Sequence, residues 1–246
     1  MLLIDPMPLD RRPTRAVLLL AGLLLYGFSS GLMLQAGLGQ MPWAVLHQGL
    51  SRSFGLSIGT WTILVGALVL LAWVPLRLRP GVGTVGNVLV LGVALDATLA
   101  LVPAPTTLSV RVPLLLVGIL LNGIATGAYI GAGLGAGPRD GLSTGLAARG
   151  MSLRVVRTTI EVGVLATGWA LGGNVGVGTV LYALGIGPLV HRTLPALSLR
   201  PERSAARPAT PPRQRRRSRS WAGRRTVPAL RSGAGARSAS ERVPRP

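Results

Sequence analysis

Cysteine and lysine are absent from these 246 residues, only seven residues are acidic, and charged residues of both signs make up 13%. Without cysteine there is no disulfide, no thiol nucleophile and no cysteine-built metal site, and two histidines are too few for a histidine cage. Little charge beside 49% apolar residues and a mean hydropathy of +0.51 excludes an ordinary water-soluble domain. HExxH, phosphate-loop and Ser-His-Asp arrangements are missing too, so enzymatic activity, a metal and a cofactor are not expected. Arginine without lysine, beside abundant Ala, Gly and Pro, fits a GC-rich bacterial genome and carries no chemistry of its own.

What the chain does have is long uncharged runs. Arg15 and Arg52 enclose 36 uncharged residues, Arg52 and Arg77 enclose 24, Arg111 and Arg139 enclose 27, and Glu161 and Arg192 enclose 30. A membrane-crossing helix needs about 20 mostly apolar residues. The runs divide into six expected spans at 16–37, 57–76, 82–102, 112–134, 154–172 and 175–195, with Gly172, Gly173 and Asn174 separating the last two. Arginine decides sidedness, because cytoplasmic loops are enriched in positive charge. Six spans put Arg11, Arg12, Arg15, Arg77, Arg79, Arg139, Arg149, Arg154, Arg192 and the C-terminal segment on one side, leaving Arg52 and Arg111 on the other. Both termini are therefore expected in the cytoplasm. The first span has the charged start of a signal peptide, but no small-residue cleavage site precedes the spans that follow.

Compared with itself, the sequence repeats. Residues 22–50 align with 118–146 at an offset of 96, sharing 13 of 29 positions. After a one-residue deletion the offset becomes 95: GVGTV at 81–85 meets GVGTV at 176–180, Gly92 meets Gly187, and Thr98-Leu99 meets Thr193-Leu194. Three spans per half is an odd number, so the second half enters the membrane from the opposite side and the repeats are expected to be inverted. Gly27 and Gly31 in one half, and Gly123, Gly127 and Gly131 in the other, recur at a four-residue spacing that lets helix backbones approach closely.

Between the first two spans of each half lies a broken element, GLGQMPWAVLHQGLSRSFG at 37–55 and GLGAGPRDGLSTGLAARG at 133–150. A Gly-rich break is followed by Pro42 or Pro138, which suits the first turn of a helix. Two readings stay open. The short helix lies in the interface with Trp43 at headgroup level, or its N-terminus offers unpaired N–H groups and partial positive charge to an anion or carboxylate.

Ionisable groups inside spans are functional candidates by default. Glu161 sits near the middle of the fifth span, with Arg157 one turn earlier on the same face, as a structural pair or one linked to a proton or substrate. Asp96 in the third span corresponds through the repeat to His191, which lies near Arg192 and reads as interfacial. Asp140 follows Arg139 at the start of the second short helix, where the dipole favours an acid. His47 and Asn87 complete the candidate lining of a cavity.

GLGQMPWAVLHQGLS, then GLSIGTWTILVG and RPGVGTVGNVLVLGVALD, resembles the YczE/YyaS/YitT-type bacterial integral membrane proteins over about residues 15–195. Members of that family often carry an acid straight after the Pro-Trp pair, where this chain has Ala44; Asp140 holds that register in the second half. The resemblance implies a multi-span inner-membrane protein and names no substrate.

From Ser198 onward 14 of the 26 arginines fall in 49 residues, so 198–246 carries a net +12 against +7 for 1–197. Rich in Arg, Pro, Ser and Ala and without a periodic apolar face, this tail is expected to be disordered. Arg213, Arg215, Arg216, Arg217 and Arg219, with Trp221 beside them, suit anionic lipid headgroups better than nucleic acid, since the tail is tethered at the bilayer.

The resulting expectation is an all-α polytopic membrane protein of about six transmembrane helices in two inverted three-helix repeats. Its parts are a cytoplasmic segment 1–15, repeats at 16–111 and 112–197, and the cytoplasmic tail 198–246. The expected function is transporter-like, moving a small solute or ion along a pathway lined by Glu161, Arg157, Asp140, Arg139, Asp96, Asn87, Trp43 and His47. The alternative is an accessory or scaffold protein that binds partner proteins or anionic lipids. Oligomeric state is not legible in the sequence.

Overall fold

The structure, a computed structural model, describes residues 11–199; the tail positions Arg213, Arg215, Arg216, Arg217, Arg219 and Trp221 lie outside the described residues. Those described are helical throughout, with no strand among them: α1 (Arg12–Ala36), α2 (Pro42–Phe54), α3 (Ile58–Leu71), α4 (Trp73–Leu76), α5 (Val82–Leu101), α6 (Leu108–Gly131), α7 (Pro138–Ala147), α8 (Leu153–Ala170) and α9 (Val177–Leu197). Five helices are long and apolar enough to cross a membrane: α1, α3 continued by α4, α5, α6 and α9. The fifth expected span, 154–172, appears as α8. It has 18 residues but carries Arg154, Arg157 and Glu161 within them, which keeps it outside that set.

At the centre, α1 and α6 lie antiparallel, since the start of each meets the end of the other. Arg15 Nη1 donates to the Ala132 carbonyl at 2.7 Å, and Arg111 Nε donates to the Ala36 carbonyl at 2.7 Å. Both carbonyls belong to the last turn of a helix, where the backbone acceptors have no intrahelical donor. Arg15 and Arg111 are 96 residues apart, as are Ala36 and Ala132, so the two contacts are one contact made twice. The close approach between the helices is also doubled: a Cβ at Gly22 would stand 2.7 Å from the Tyr129 nitrogen, and one at Gly118 would stand 2.7 Å from Met33. Asn122 Nδ2 donates to Ser29 Oγ at 2.9 Å between them.

Each half's break is held by the other half. Gly37 and Gly133 end α1 and α6 in the left-handed conformation (φ +63° and +67°), which glycine adopts without a Cβ penalty. The next residue then offers its carbonyl to the start of the opposite half's third long helix: Gly178 N–H donates to Leu38 at 2.7 Å, and Gly83 N–H donates to Leu134 at 2.8 Å. Thr84 Oγ1 accepts from Gly81 N–H and donates to the Ala136 carbonyl; Thr179 Oγ1 accepts from Gln40 N–H. The Gly-Val-Gly-Thr motif is thus the socket for the opposite Gly-Leu-Gly break.

The glycines at four-residue spacing serve packing. Gly27 and Gly31 face Ala94 and Thr98 of α5, and Gly123 and Gly127 face Leu189 and Thr193 of α9. Arginines counted for sidedness also have local work: Arg15, Arg52, Arg111 and Arg149 each donate to a backbone carbonyl at or just beyond a helix end.

The halves differ where the second long helix of each meets the third. Gly59 of α3 and Gly92 of α5 sit against each other's carbonyls, and Gly66 sits against Val88. In the second half, α8 stands away from α9, and Gly163 and Gly187 have no neighbour within 4 Å of where a Cβ would be. Ser57 and Ser152 precede α3 and α8. Counted from these serines, Arg154, Arg157 and Glu161 occupy the places of Gly59, Thr62 and Gly66. Long charged side chains replace small ones, and close packing on α9 is lost.

This difference is testable by thermal unfolding in detergent. Gly59→Ala places a methyl group on the Gly92 carbonyl and should destabilise by about 2 kcal/mol or more, whereas Gly163→Ala should be neutral or stabilising by up to about 1 kcal/mol.

Candidate functional site

Because α8 stands off α9, a cavity of about 430 Å³ opens at the meeting of the two breaks. Pro42 and Trp43 at the start of α2, and Pro138, Arg139 and Asp140 at the start of α7, reach it from the two halves. Each short helix therefore begins at the same cavity with its first-turn N–H groups lacking intrahelical acceptors. Trp73 Nε1 fixes α7 by donating to the Pro138 carbonyl at 3.0 Å.

Six of the eight expected residues line this cavity: Glu161, Arg157, Asp140, Arg139, Asn87 and Trp43. Arg157 Nε donates to Glu161 Oε1 at 3.0 Å across one helical turn, and Arg157 Nη1 lies 4.0 Å from Asp140 Oδ1. Asp140 Oδ2 accepts from the Tyr129 hydroxyl at 3.1 Å. The Arg139 guanidinium lies over the Trp43 ring, 4.8 Å from its centroid, a cation–π arrangement. Trp43 is buried beneath it, which corrects the reading of Trp43 as a headgroup anchor.

Two expected residues lie elsewhere. Asp96 does not reach the cavity: its Oδ1 accepts from Gly59 N–H at 2.7 Å and its Oδ2 from the Ser57 hydroxyl, so the carboxylate closes the N-terminus of α3 against α5. Its repeat counterpart His191 is exposed and, among the described residues, engages no partner. His47 lies behind the cavity, 2% exposed, in a recess of about 10 Å³ that shares Trp43, Asn87 and Arg139 with it. Thr62 Oγ1 donates to the Ile58 carbonyl at 2.9 Å and accepts from His47 Nδ1 at 2.9 Å, leaving His47 Nε2 as a buried acceptor without a protein partner. Burial first, and then the positive charge of Arg139, hold this imidazole neutral, with its pKa well below the ordinary histidine value.

All three tyrosines of the chain, Tyr26, Tyr129 and Tyr182, line the cavity and were not expected there. Tyr26 and Tyr129 meet edge to face at 5.9 Å, and the Tyr182 hydroxyl donates to Asn122 Oδ1 at 3.1 Å. A signal was available: the repeat pairs Tyr26 with Asn122, and Asn87 with Tyr182, a tyrosine facing an amide each time. No group of three or more metal-ligating side chains occurs among the described residues.

Residues 13–194 match the model of a family of unknown function, DUF6198. A Haemophilus influenzae protein named "Uncharacterized protein" is 42% identical over 175 residues, covering 71% of this chain and 80% of its own length. The Bacillus subtilis "Uncharacterized membrane protein YczE" is 34% identical over 178 residues, 71% of this chain and 83% of that one, and "Uncharacterized protein YyaS" of the same organism is 28% identical over 181 residues, 71% and 89%. No solved structure matches. The chain belongs to the DUF6198 family, and the resemblance read from its motifs to proteins of the YczE and YyaS type is upheld.

The two acids in apolar helices should separate on mutation. Asp96→Ala removes the acceptor of an N-terminal N–H and should cost about 1–2 kcal/mol in thermal unfolding, while Glu161→Ala, in a pair more than a third exposed, should change stability by less than about 1 kcal/mol.

Proposed function

We propose that this member of the DUF6198 family carries a small polar solute or ion across a bacterial cytoplasmic membrane, with the cavity between α8 and α9 as its solute site. The observation that carries the reading is the convergence of both Pro-led short helices and four charged side chains on one cavity of about 430 Å³. Ligand pockets commonly have volumes of several hundred cubic ångströms, and discontinuous helices whose N-termini meet near the repeat interface are how many secondary transporters bind polar solutes. The reciprocal contacts of Arg15 and Arg111, and of the two breaks with the two Gly-Val-Gly-Thr motifs, support reading the halves as inverted copies. In that reading α8 is a sixth crossing whose Arg157 and Glu161 face the cavity instead of lipid. The arginine distribution supports both termini being cytoplasmic. Solute passage through such a site makes and breaks no covalent bond, so the reading requires no catalysis.

The test is uptake by proteoliposomes holding the full chain, screened with radiolabelled alkali cations, halides, amino acids and small organic anions. At least one solute should enter faster than into empty liposomes. Glu161→Gln, Arg157→Gln, Asp140→Asn and Pro138→Ala, at equal reconstituted abundance, should each slow it by about tenfold or more. Uptake at the empty-liposome level for every solute, or unchanged uptake in all four variants, overturns the reading and leaves the scaffold alternative.

A further inference from the structure

The charges in the cavity are unequally engaged, and this narrows what it can hold. Arg157 is committed to Glu161 at 3.0 Å and stands 4.0 Å from Asp140. Arg139 differs: its guanidinium rests on the Trp43 face, and among the described residues no carboxylate or carbonyl accepts any of its N–H donors. Seated over the ring, the guanidinium keeps its N–H donors for a bidentate acceptor. Arg139 itself lies in the first turn of α7, whose free N–H groups add to a positive local field. One residue on, Asp140 has the complementary character. Its Oδ2 holds the Tyr129 hydroxyl, while Oδ1 has only the distant Arg157 and keeps capacity for a cationic donor. His47 Nε2, buried and unpartnered, adds a further acceptor in the adjoining recess.

Charge balance decides between ligand classes. Arg139, Arg157, Asp140 and Glu161 sum to zero, so a bound monoanion or monocation would leave one uncompensated charge in a partly desolvated site, which is costly. A zwitterion leaves the sum at zero and satisfies both groups. Arg139 and Asp140 both line this cavity, so one small molecule within it can meet both charges. Leu91, Ile130, Ile160, Ile186 and Val190 provide apolar wall for the remainder of such a molecule.

We infer that the cavity takes a zwitterionic solute of the α-amino acid class, its carboxylate on Arg139 and the α7 N-terminus and its ammonium on Asp140. This rests on the solute-carrier reading of the same cavity and adds the ligand to it. The experiment uses the full chain in detergent, with the protein L-amino acids tried singly by thermal-unfolding shift. Any amino acid that shifts the transition is then compared with its N-acetyl and methyl-ester forms, which lack one charge each. At least one amino acid should stabilise the protein, and both derivatives should bind about tenfold or more weakly. Arg139→Gln should weaken the amino acid while abolishing its advantage over the methyl ester, and Arg139→Lys should restore part of that advantage; Asp140→Asn should erase the advantage over the N-acetyl form. A loss of packing alone would leave these ratios unchanged. No shift with any amino acid, or a derivative that binds as well as its parent, overturns the assignment. If another labelled solute enters proteoliposomes while amino acids neither bind nor enter, the ligand class falls and the carrier reading stands. If an amino acid binds with the expected ratios and is not carried, the carrier reading falls and the ligand class stands.

Discussion

Where α1 and α6 stop, their last carbonyls lose their helical donors, and the rest of the fold depends on how those groups are satisfied. In a low-dielectric surrounding each unpaired carbonyl is costly. The chain answers with a guanidinium from the start of the opposite helix, Arg15 at the end of α6 and Arg111 at the end of α1. Such a bond can form twice only if the helices are antiparallel and matched in length. The same arrangement brings each Gly-Leu-Gly break onto the opposite Gly-Val-Gly-Thr start and so turns both short helices toward one cavity.

Within this doubled frame the site arises from departures from the doubling. Trp43 and Arg139 are equivalent positions in the sequence repeat, and they touch. An aromatic face and a cation at equivalent places form a stack that two tryptophans or two arginines would not. Asp140 stands opposite Ala44 in the repeat, and Arg157 and Glu161 stand opposite Thr62 and Gly66. The first half is closed by small residues and the Asp96 clamp; the second half is held open by large charged ones. The charged groups at the cavity and the loss of close packing therefore come from the same positions.

Much of this was legible in the sequence. Uncharged runs, the self-alignment and the prolines mark the helices, the halves and the breaks, because each rests on spacing along the chain. Glu161, Arg157, Asp140 and Arg139 were legible as candidates because charge in an apolar run needs a partner. Asp96 meets the same criterion and lies elsewhere, since whether a carboxylate faces a cavity or a helix N-terminus depends on how α5 is rotated against α3, which periodicity does not fix. For Trp43 the sequence leaves the headgroup anchor and the cavity lining both open, because its partner Arg139 is 96 residues away. The tyrosines are not legible by the same criterion, because single polar rings in apolar helices stand out only when the repeat pairs them with Asn122 and Asn87. The charges of α8 set it apart from the five apolar helices, and only tertiary packing shows that Arg157 and Glu161 line the cavity.

The central claim is that a polar cavity reaches water between α8 and α9, and cysteine reactivity measures this directly in a chain that has none of its own. Ala183 lines the cavity, and its neighbour Leu184, 71% exposed, does not. In the full chain reconstituted in liposomes, Ala183→Cys should react readily with a water-soluble maleimide while Leu184→Cys, facing acyl chains, stays unmodified. Equal reactivity of the two positions, or silence at Ala183→Cys, would contradict the account.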